Sequence, residues 1–480
     1  MRKNMQPYIV NLLFGLALLV GSTLRAQQDA SDLDKIAASQ AGSSPLLFTV
    51  PDDEYPPVVH DSFFHEKECT IRSGIPNFLY KAKNGKEITV AFIGGSITQS
   101  RDSYRMQTAR YMQNRFSGAS FKWVNAGVSG TGADLGAFRL REQVLQYQPD
   151  LIFIEFAVNG AYQPGLEGMV RQIIKTNPYM DICLIYTIKN GQSQIYQRGE
   201  IPLNILGLER IADYYGLPSI HMGMEPAALE ASNKLVWKET PQEAGDHILF
   251  SRDGIHPTKA GGDLYAAAIA RAVDKMEDMS IPQAHTLSVP LITDAWDEAG
   301  MYDPQEIAAF DKNWTKLVTK QSVLKKFQGW FDTIMTADQP GASLTFFFEG
   351  DQFGIFDIGG PEVGQLSVWI DDKPVGVTMI SEQGYRLWEI GGSDADTTLN
   401  RFNQYCNNRY RGQYDVIQLQ HGRHKVTLEI SPAKADKHGI LGPNQLKDIT
   451  VNPEKYDRSA IYLGKILLRG KPVTEIVEDA

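Results

Sequence analysis

From about Glu87 to about Met279 the chain alternates short apolar runs with longer stretches that carry apolar residues at helical spacing. The apolar runs are continuous, which is typical of strands buried on both faces of a sheet. This alternation predicts a three-layer α/β domain, with a parallel sheet between two layers of helices. The five predicted strands are Ile88–Ile93, Phe121–Val124, Leu151–Phe156, Ile182–Ile188 and Pro218–Met222. The predicted helices lie near Ser103–Phe116, Leu135–Tyr147, Gly165–Thr176, Leu203–Tyr215 and Lys259–Met276.

The pattern changes after about Met279. Residues 280–335 show few clear periods, and beyond Ala342 strand-like runs are separated by Gly, Pro and Asp. Several runs alternate apolar and polar residues, and helix signals are scarce. This pattern predicts an all-β sandwich or jelly roll. The predicted strands are Ser343–Phe348, Gln352–Ile358, Gln365–Ile370, Arg386–Ile390, Val416–Gln420, His424–Ile430 and Ile461–Leu468.

The first 26 residues have the order of a secretory signal peptide, with Arg2 and Lys3 before an apolar run and a cleavage point after Ala26. The run is shorter than the ~20 residues that a spanning helix needs. We therefore expect an exported protein (periplasmic or secreted) without a membrane anchor after cleavage. The other predicted boundaries are a leader and N-terminal extension over 27–80, the α/β domain over 81–279, and a linker plus β-sandwich domain over 280–480.

Charge and cysteine content exclude several classes of protein. The chain has 47 Lys and Arg against 57 Asp and Glu, a formal net charge of −10. Such a chain is not attracted as a whole to phosphate backbones or anionic membranes, so we expect no nucleic-acid partner. Cys69, Cys183 and Cys406 show no CxxC spacing, and three cysteines provide neither a disulfide framework nor a zinc-thiolate site.

Ser96 is the candidate nucleophile. It follows the first predicted strand and two glycines, and ligands of an open parallel sheet bind outside the carboxyl ends of the strands. A serine that only caps the following helix fits the same residues. Among nine histidines, His256 is the strongest candidate base, because Asp253 stands three residues before it and can fix its tautomer. His247 is the weaker candidate.

Two more strand ends carry groups that stabilise negative charge. A glycine loop that includes Gly130 follows the second predicted strand, and Asn159 follows the third. A backbone N–H and a side-chain amide are the donors that an oxyanion hole requires. Three successive strand ends thus present a serine, a glycine and an asparagine, which together indicate acyl transfer.

Four blocks, in this order along the chain, resemble the SGNH (GDSL-type) hydrolase family. They are Gly94-Gly95-Ser96-Ile97-Thr98, Asn125-Ala126-Gly127-Val128-Ser129-Gly130, Glu155-Phe156-Ala157-Val158-Asn159 and Asp253-Gly254-Ile255-His256-Pro257. The resemblance covers roughly residues 85–278. It implies a flavodoxin-like sandwich, a catalytic triad of Ser96, Asp253 and His256, and no metal or organic cofactor. It also implies an oxyanion hole formed by Ser96, Gly130 and Asn159.

The chain departs from the family pattern at two positions. Gly95 stands where an Asp usually precedes the serine, a variant found in relatives that resemble this chain and act on carbohydrates, and Gly160 stands where an Asp often follows the asparagine. The stretch Leu419–Leu428 resembles galactose-binding-type jelly rolls attached to polysaccharide-active enzymes. Together these resemblances imply a secreted serine esterase whose partner is an acetylated polysaccharide or oligosaccharide, from which it removes O-acetyl groups.

Other functions stay open at this point. Gly130 to Gly136 followed by Glu155 is similar to a dinucleotide fingerprint, although its spacing is GxGxxxG and it follows the second strand. A non-catalytic carbohydrate-binding protein is a second alternative, and a lipase, arylesterase or O-acyltransferase that uses the same serine is a third. The aromatic residues that would form a stacking platform for sugars, or else fill the sandwich core, are Trp369, Trp388, Tyr410 and Tyr414.

Overall fold

The computed structural model describes residues 42–51, 54–382 and 385–474. The predicted signal peptide, residues 1–26, and the first part of the predicted leader lie outside the described residues. Within the described ranges, no helix is both long enough and apolar enough to cross a membrane.

Seven strands form the sheet of the α/β domain, in the order β1-β4-β3-β5-β6-β7-β2. The five predicted strands are its parallel centre, which confirms the predicted fold class. The strands β1 and β2 come from the predicted N-terminal extension and pair antiparallel at the two edges. The seven strands are β1 (Leu47–Phe48), β2 (Cys69–Thr70), β3 (Glu87–Gly94), β4 (Ser120–Gly127), β5 (Leu151–Glu155), β6 (Asp181–Tyr186) and β7 (Ser219–His221).

Helices cover both faces of this sheet, and their ends follow local sequence signals. The helix Lys259–Lys275 begins after Thr258, whose hydroxyl accepts a hydrogen bond from the Gly261 N–H, and Leu203–Tyr215 ends at Gly216 in the left-handed region. The other helices of this domain are Pro76–Lys83, Ser96–Gln99, Arg105–Arg115, Ala133–Gln143, Gln163–Thr176, Ser193–Gln197, Met224–Ala231 and Pro241–Ala244, with a 3₁₀ turn at Leu145–Tyr147. Two further strands, β8 (Leu235–Lys238) and β9 (Ile248–Ser251), form a separate parallel pair.

The second domain is a β-sandwich built from a curled and mainly antiparallel sheet, as the alternating pattern predicts. Its central strands follow the order β12-β13-β21-β14-β20-β15-β16. Its strands are β10 (Ala299–Tyr302), β11 (Ala308–Phe310), β12 (Thr315–Val318), β13 (Thr333–Ala337), β14 (Ser343–Gly359), β15 (Gln365–Ile370), β16 (Lys373–Val375), β17 (Val377–Glu382), β18 (Tyr385–Ile390), β19 (Leu399–Asn400), β20 (Arg411–Ile430) and β21 (Ile461–Pro472). Its short helices are Pro304–Ile307, Lys437–Ile440 and Leu446–Val451, with 3₁₀ turns at Thr319–Gln321, Lys325–Phe327, Gln404–Cys406, Pro443–Gln445 and Pro453–Lys455.

Two strands are longer than the sequence pattern indicates. The predicted strands 343–348 and 352–358 are one strand, β14, with a bulge between Gly350 and Gln352. The predicted strands 416–420 and 424–430 are likewise continuous in β20. The mixed segment 280–335 contains four strands, β10 to β13, where few periods were visible.

Apolar packing joins the two domains. The indole of Trp296, fully buried, lies 5.3 Å from the ring of Phe138 and 5.7 Å from that of Tyr162 between ring centroids. The core of the α/β domain continues through Trp296, Trp330 and Phe356 into one face of the β-sandwich. The second apolar cluster fills the interior of the β-sandwich itself. The face of the β-sandwich that carries Trp330 and Phe356 therefore lies against the α/β domain, beside the loops that follow β4 and β5.

Candidate active site

Ser96 lies where β3 ends, as the first residue of the short helix Ser96–Gln99. The two glycines before it permit close approach of neighbouring groups. A Cβ on Gly94 would lie 2.1 Å from the Thr98 hydroxyl oxygen, and one on Gly95 would lie 2.3 Å from the side-chain nitrogen of Asn159. The chain can therefore turn directly from strand to helix while the Asn159 amide rests against the residue before the serine.

Ser96, His256 and Asp253 form a continuous chain of hydrogen bonds. The hydroxyl of Ser96 lies 2.7 Å from Nε2 of His256, and Nδ1 of His256 lies 2.6 Å from Oδ2 of Asp253. The serine is 7% exposed, whereas the His256 side chain is 30% exposed. Both ring nitrogens are thus engaged, one by the carboxylate and one by the hydroxyl, which is the arrangement that a serine nucleophile requires.

The loop before His256 holds Asp253 in its ionised form. Oδ1 of Asp253 accepts hydrogen bonds from the backbone N–H groups of Ile255 (2.9 Å) and His256 (2.8 Å) and from the Ser251 hydroxyl (3.0 Å). Burial alone raises the pKa of Asp253, but the hydrogen bonds from the His256 ring and from these N–H groups hold that pKa well below its usual range. The carboxylate is therefore fixed as an acceptor for the imidazole.

Gly130 and Asn159 lie at the same sheet edge, after β4 and β5. Gly130 has a φ of +71°, a conformation that favours glycine. The backbone N–H and the hydroxyl of Ser129 both donate to the side-chain oxygen of Gln99, at 2.7 and 2.6 Å, which ties this loop to the nucleophile helix. The structure thus brings all five predicted site residues to one edge of the sheet. Their roles stay predictions.

Glu155 is a buried carboxylate beneath the serine, to which the sequence assigned a role only in the dinucleotide alternative. It accepts hydrogen bonds from the hydroxyls of Thr98 (3.0 Å) and Thr187 (2.5 Å) and from the backbone N–H of Gly95. Burial raises its pKa, and these donors oppose that shift. The signal available in the sequence was Glu155 itself, an acidic residue at the end of the otherwise apolar run Leu151–Glu155. Because its oxygens are engaged below the sheet edge, Glu155 is not placed to bind a ribose.

Arg139 is a second group that the sequence analysis missed. Its buried guanidinium donates to the carbonyl oxygens of Gly94 (2.8 Å) and Ala126, and to the side-chain oxygen of Gln143 (2.8 Å). Burial lowers its pKa to about 9. Gly94 is the last residue of β3 and Ala126 is the second-last residue of β4. Arg139 therefore holds together the ends of the two strands that lead to Ser96 and Gly130.

A cavity of about 710 Å³ lies between the two domains and adjoins the predicted oxyanion residues. Gly130 and Asn159 form part of its α/β wall, while the β-sandwich contributes the aromatic rings and polar side chains opposite. The residues of that second wall include Trp330, Asn403, Tyr405, Arg411 and Tyr414. The cavity is therefore lined by aromatic and hydrogen-bonding side chains beside the candidate oxyanion site.

The four aromatic residues singled out as a stacking platform have different surroundings. Tyr414 lines the cavity and donates to Asp134 across the domain interface. Trp388 donates to Asp415 (2.9 Å), Tyr410 donates to Glu362 (2.8 Å), and Trp369 pairs with Thr427 inside the sheet. Of the four, Tyr414 is the residue placed beside the site.

The three cysteines, Cys69, Cys183 and Cys406, are buried and form no disulfide bond. In the part of the chain that the structure describes, no group of three or more His, Cys, Asp and Glu side chains is arranged to hold a metal ion.

The chain is similar to one protein family and to several solved structures. Residues 92–264 match the GDSL-like lipase/acylhydrolase family. The chain is similar to a two-domain esterase (CEX) active on acetylated mannans, solved with mannopentaose, at 20% identity over 82% of this chain and 94% of that chain, with a TM-score of 0.57. A second structure of that two-domain esterase, also at 20% identity over the same shares, gives a TM-score of 0.56. The acetylxylan esterase Axe2 from Geobacillus stearothermophilus is 21% identical over 39% of this chain and 94% of that chain, with a TM-score of 0.31. No curated protein matches the chain.

Proposed function

Because its α/β domain is a GDSL-like lipase/acylhydrolase domain, we propose that this protein is a serine esterase that removes O-acetyl groups from a polysaccharide or oligosaccharide. The observation that carries the proposal is the chain of hydrogen bonds from Ser96 through His256 to Asp253. It lies at the same sheet edge as a cavity with walls from both domains.

The first half of the reaction forms an acyl-enzyme. His256 takes the proton of the Ser96 hydroxyl as the oxygen attacks the ester carbonyl, and Asp253 stabilises the imidazolium that results. The negative charge that develops on the carbonyl oxygen is met by the backbone N–H groups of Ser96 and Gly130 and by the Asn159 amide. His256 then gives its proton to the departing sugar hydroxyl.

The second half releases acetate. Water attacks the acetyl group on Ser96, His256 accepts a proton from that water, and the same three donors hold the second oxyanion. The serine leaves with its proton restored from the imidazolium. No other group is needed to balance these two steps.

The cavity supports a sugar as the alcohol part of the ester. Trp330 and Tyr405 contribute aromatic rings to the lining, with the Arg411 guanidinium over one face of Tyr405 at 4.4 Å, and Asn403 and Arg411 contribute polar groups that could meet hydroxyls. A long acyl chain would instead require an apolar lining. The two-domain relative acts on acetylated mannans, so acetylated mannan is the first polymer to test.

Export is part of the same proposal. Residues 1–26 have the order of a signal peptide, and a polysaccharide substrate lies outside the cytoplasm. Mass spectrometry of the protein recovered from its host checks this. A mature N-terminus near Gln27 is expected, and an intact Met1 would contradict export by cleavage.

The test of the activity is acetate release from a panel of acetylated polysaccharides by residues 27–480. We expect release from acetylated mannan or a related neutral polymer. Ser96→Ala should reduce turnover by about 10⁴-fold or more while the thermal unfolding temperature stays unchanged, because the nucleophile alone is removed.

Each other outcome separates the alternatives. Serine-dependent cleavage of aryl acetates without release from any polymer would retain the esterase and remove the polysaccharide. Transfer of acetyl to an added sugar in place of water would identify an acyltransferase. Full activity in Ser96→Ala would refute the assigned nucleophile.

A further inference from the structure

We propose that Tyr414 of the β-sandwich is a positioning residue for the oxyanion site and acts across the domain interface through the carboxylate of Asp134. The inference rests on the proposed function of that site. It assigns the second domain a part in the chemistry of small esters, beyond contact with a sugar.

The contact itself is short and part-buried. The Tyr414 hydroxyl donates to Oδ2 of Asp134 at 2.6 Å, between two residues that are 280 positions apart in the chain. Asp134 is 4% exposed and lies in the first turn of the helix Ala133–Gln143, where a carboxylate is favoured by the helix dipole. Tyr414 lines the cavity from the opposite wall.

Asp134 is packed against Gly132, which follows Gly130 in the loop after β4. A Cβ on Gly132 would lie 2.6 Å from Oδ1 of Asp134, so the carboxylate rests on the loop that begins at Gly130. The same Cβ would lie 3.2 Å from the Gly160 carbonyl and 3.3 Å from that of Asn159. Gly132 therefore lies where the loop after β4 meets the loop after β5, and the Asp134 carboxylate contacts it there.

Tyr414 stabilises the ionised form of this carboxylate in that position. Burial raises the pKa of Asp134, and the hydrogen bond from Tyr414 is the largest effect that opposes it. Without the hydroxyl, Oδ2 loses its donor from the second domain, and a buried carboxylate without that donor shifts or takes up a proton. The backbone N–H groups of Asp134 and Leu135 remain as donors, so we expect a shift of the carboxylate against Gly132 that displaces the N–H of Gly130.

The experiment measures aryl acetate hydrolysis by Tyr414→Phe in the full chain. The variant keeps the ring and removes only the hydroxyl. We expect kcat to fall roughly tenfold with KM almost unchanged, since a displaced donor weakens the transition state more than the bound substrate. An aryl acetate has no sugar to contact Tyr414, so the loss reports the oxyanion site.

Tyr410→Phe is the matched control. Its hydroxyl also donates to a carboxylate of the β-sandwich, Glu362, at 2.8 Å, but Tyr410 does not line the cavity. We expect aryl acetate turnover to stay at the wild-type level in this variant. A tenfold loss in both tyrosine variants would show a general effect on the domain and overturn the inference.

Asp134→Asn tests the route of the effect. An amide offers one acceptor oxygen where the carboxylate offers two, so we expect a loss similar to that of Tyr414→Phe. If the hydroxyl acts through the carboxylate, the double variant loses little more than either single variant. Losses that multiply would mean that the two residues act independently, and the inference would fall.

The remaining outcomes keep this inference separate from the proposed function. If Tyr414→Phe weakens only polysaccharide turnover, Tyr414 merely contacts the sugar and the inference is wrong. If no polymer is deacetylated but Tyr414→Phe still slows aryl acetate hydrolysis, the polysaccharide is wrong and the inference stands. Labelling of Ser96 by a fluorophosphonate repeats the comparison with a reagent that has no acetyl group. Equal labelling rates in the wild type and in Tyr414→Phe overturn the inference.

Discussion

Each domain buries an arginine, and the two arginines are satisfied in opposite ways. Arg401 of the β-sandwich donates to both oxygens of Asp357 and to Asp415, and although burial lowers its pKa, these carboxylates raise it above the usual range. Arg139 of the α/β domain donates instead to backbone carbonyls and an amide, and burial lowers its pKa to about 9. Among the described residues, no carboxylate is hydrogen-bonded to Arg139.

The difference shows where each domain keeps its charge. The β-sandwich neutralises its buried cation within a local ion pair, so little field extends beyond it. The α/β domain keeps a cation behind the ends of β3 and β4, with the Asp134 carboxylate near it but not hydrogen-bonded to it, and under the proposed function negative charge would develop on the substrate beside these strand ends. Partial positive charge that is fixed before the reaction is the most effective form of oxyanion stabilisation. We therefore expect substitution of Arg139 to reduce activity and substitution of Arg401 to reduce stability.

Apart from the nucleophile, the largest effect is expected at Asn159, the proposed side-chain donor of the oxyanion site. Asn159→Ala should lower kcat for an aryl acetate by about 10²–10³-fold, because it removes one oxyanion donor. KM should change much less. Steady-state kinetics provide both values.

Asn452→Ala is the matched control for loss of an amide. Asn452 ends a helix of the β-sandwich and bonds Asp448 at 3.0 Å, away from the cavity. Its turnover should equal that of the wild type. A change in KM alone for Asn159→Ala would move that residue from the oxyanion site to substrate binding.

The second effect compares the two arginines directly through Arg139→Met and Arg401→Met. Arg139→Met should lower aryl acetate turnover roughly tenfold, because the strand ends lose both a brace and a nearby positive charge. Arg401→Met should instead lower the free energy of unfolding by about 3–5 kcal/mol, since two carboxylates are left buried without their partner. Denaturant unfolding and kinetics on both variants measure the two quantities. If the two variants lose the same activity and have the same free energy of unfolding, the proposed distinction between Arg139 and Arg401 is wrong.

The smallest effect concerns pH and the α/β domain. His221 is buried, its Nδ1 lies 2.9 Å from the Tyr196 hydroxyl, and burial lowers its pKa to about 4. The unfolded chain takes up a proton near pH 6.5, so stability is present above that pH and is lost as the pH falls toward 4.

We expect the free energy of unfolding to drop by about 2 kcal/mol between pH 7 and pH 5 from this residue. His221→Gln carries no titrating ring and should show a shallower dependence. Urea titrations at the two pH values measure it, and parallel slopes in the two proteins would exclude His221 as the origin.

The parts of the fold that could be predicted are those whose signal is local. Buried parallel strands are continuous apolar runs, so β3 to β7 were found within a few residues. The edge strands β1 and β2 have two residues each, too few for any period. The breaks predicted in β14 and β20 were wrong: Gly350 pairs with Gly422 beside a bulge, and the two strands stay paired on both sides of it.

The site divides in the same way. Asp253 and His256 stand three residues apart, and one turn of chain brings the carboxylate to the ring. The contacts of Arg139 with Gly94, and of Tyr414 with Asp134, join residues 45 and 280 positions apart. Such contacts depend on the packing of whole elements, so no spacing in the sequence indicates them.

The contact between Gly95 and Asn159 limits how this chain can diverge. Gly95 has a φ of −88°, outside the left-handed region, and the group that a side chain there would meet first is the Asn159 amide. An Asp at position 95 would therefore displace the amide that the proposed mechanism uses as an oxyanion donor. We expect a substitution there to preserve activity only when a second change gives the Asn159 amide another position.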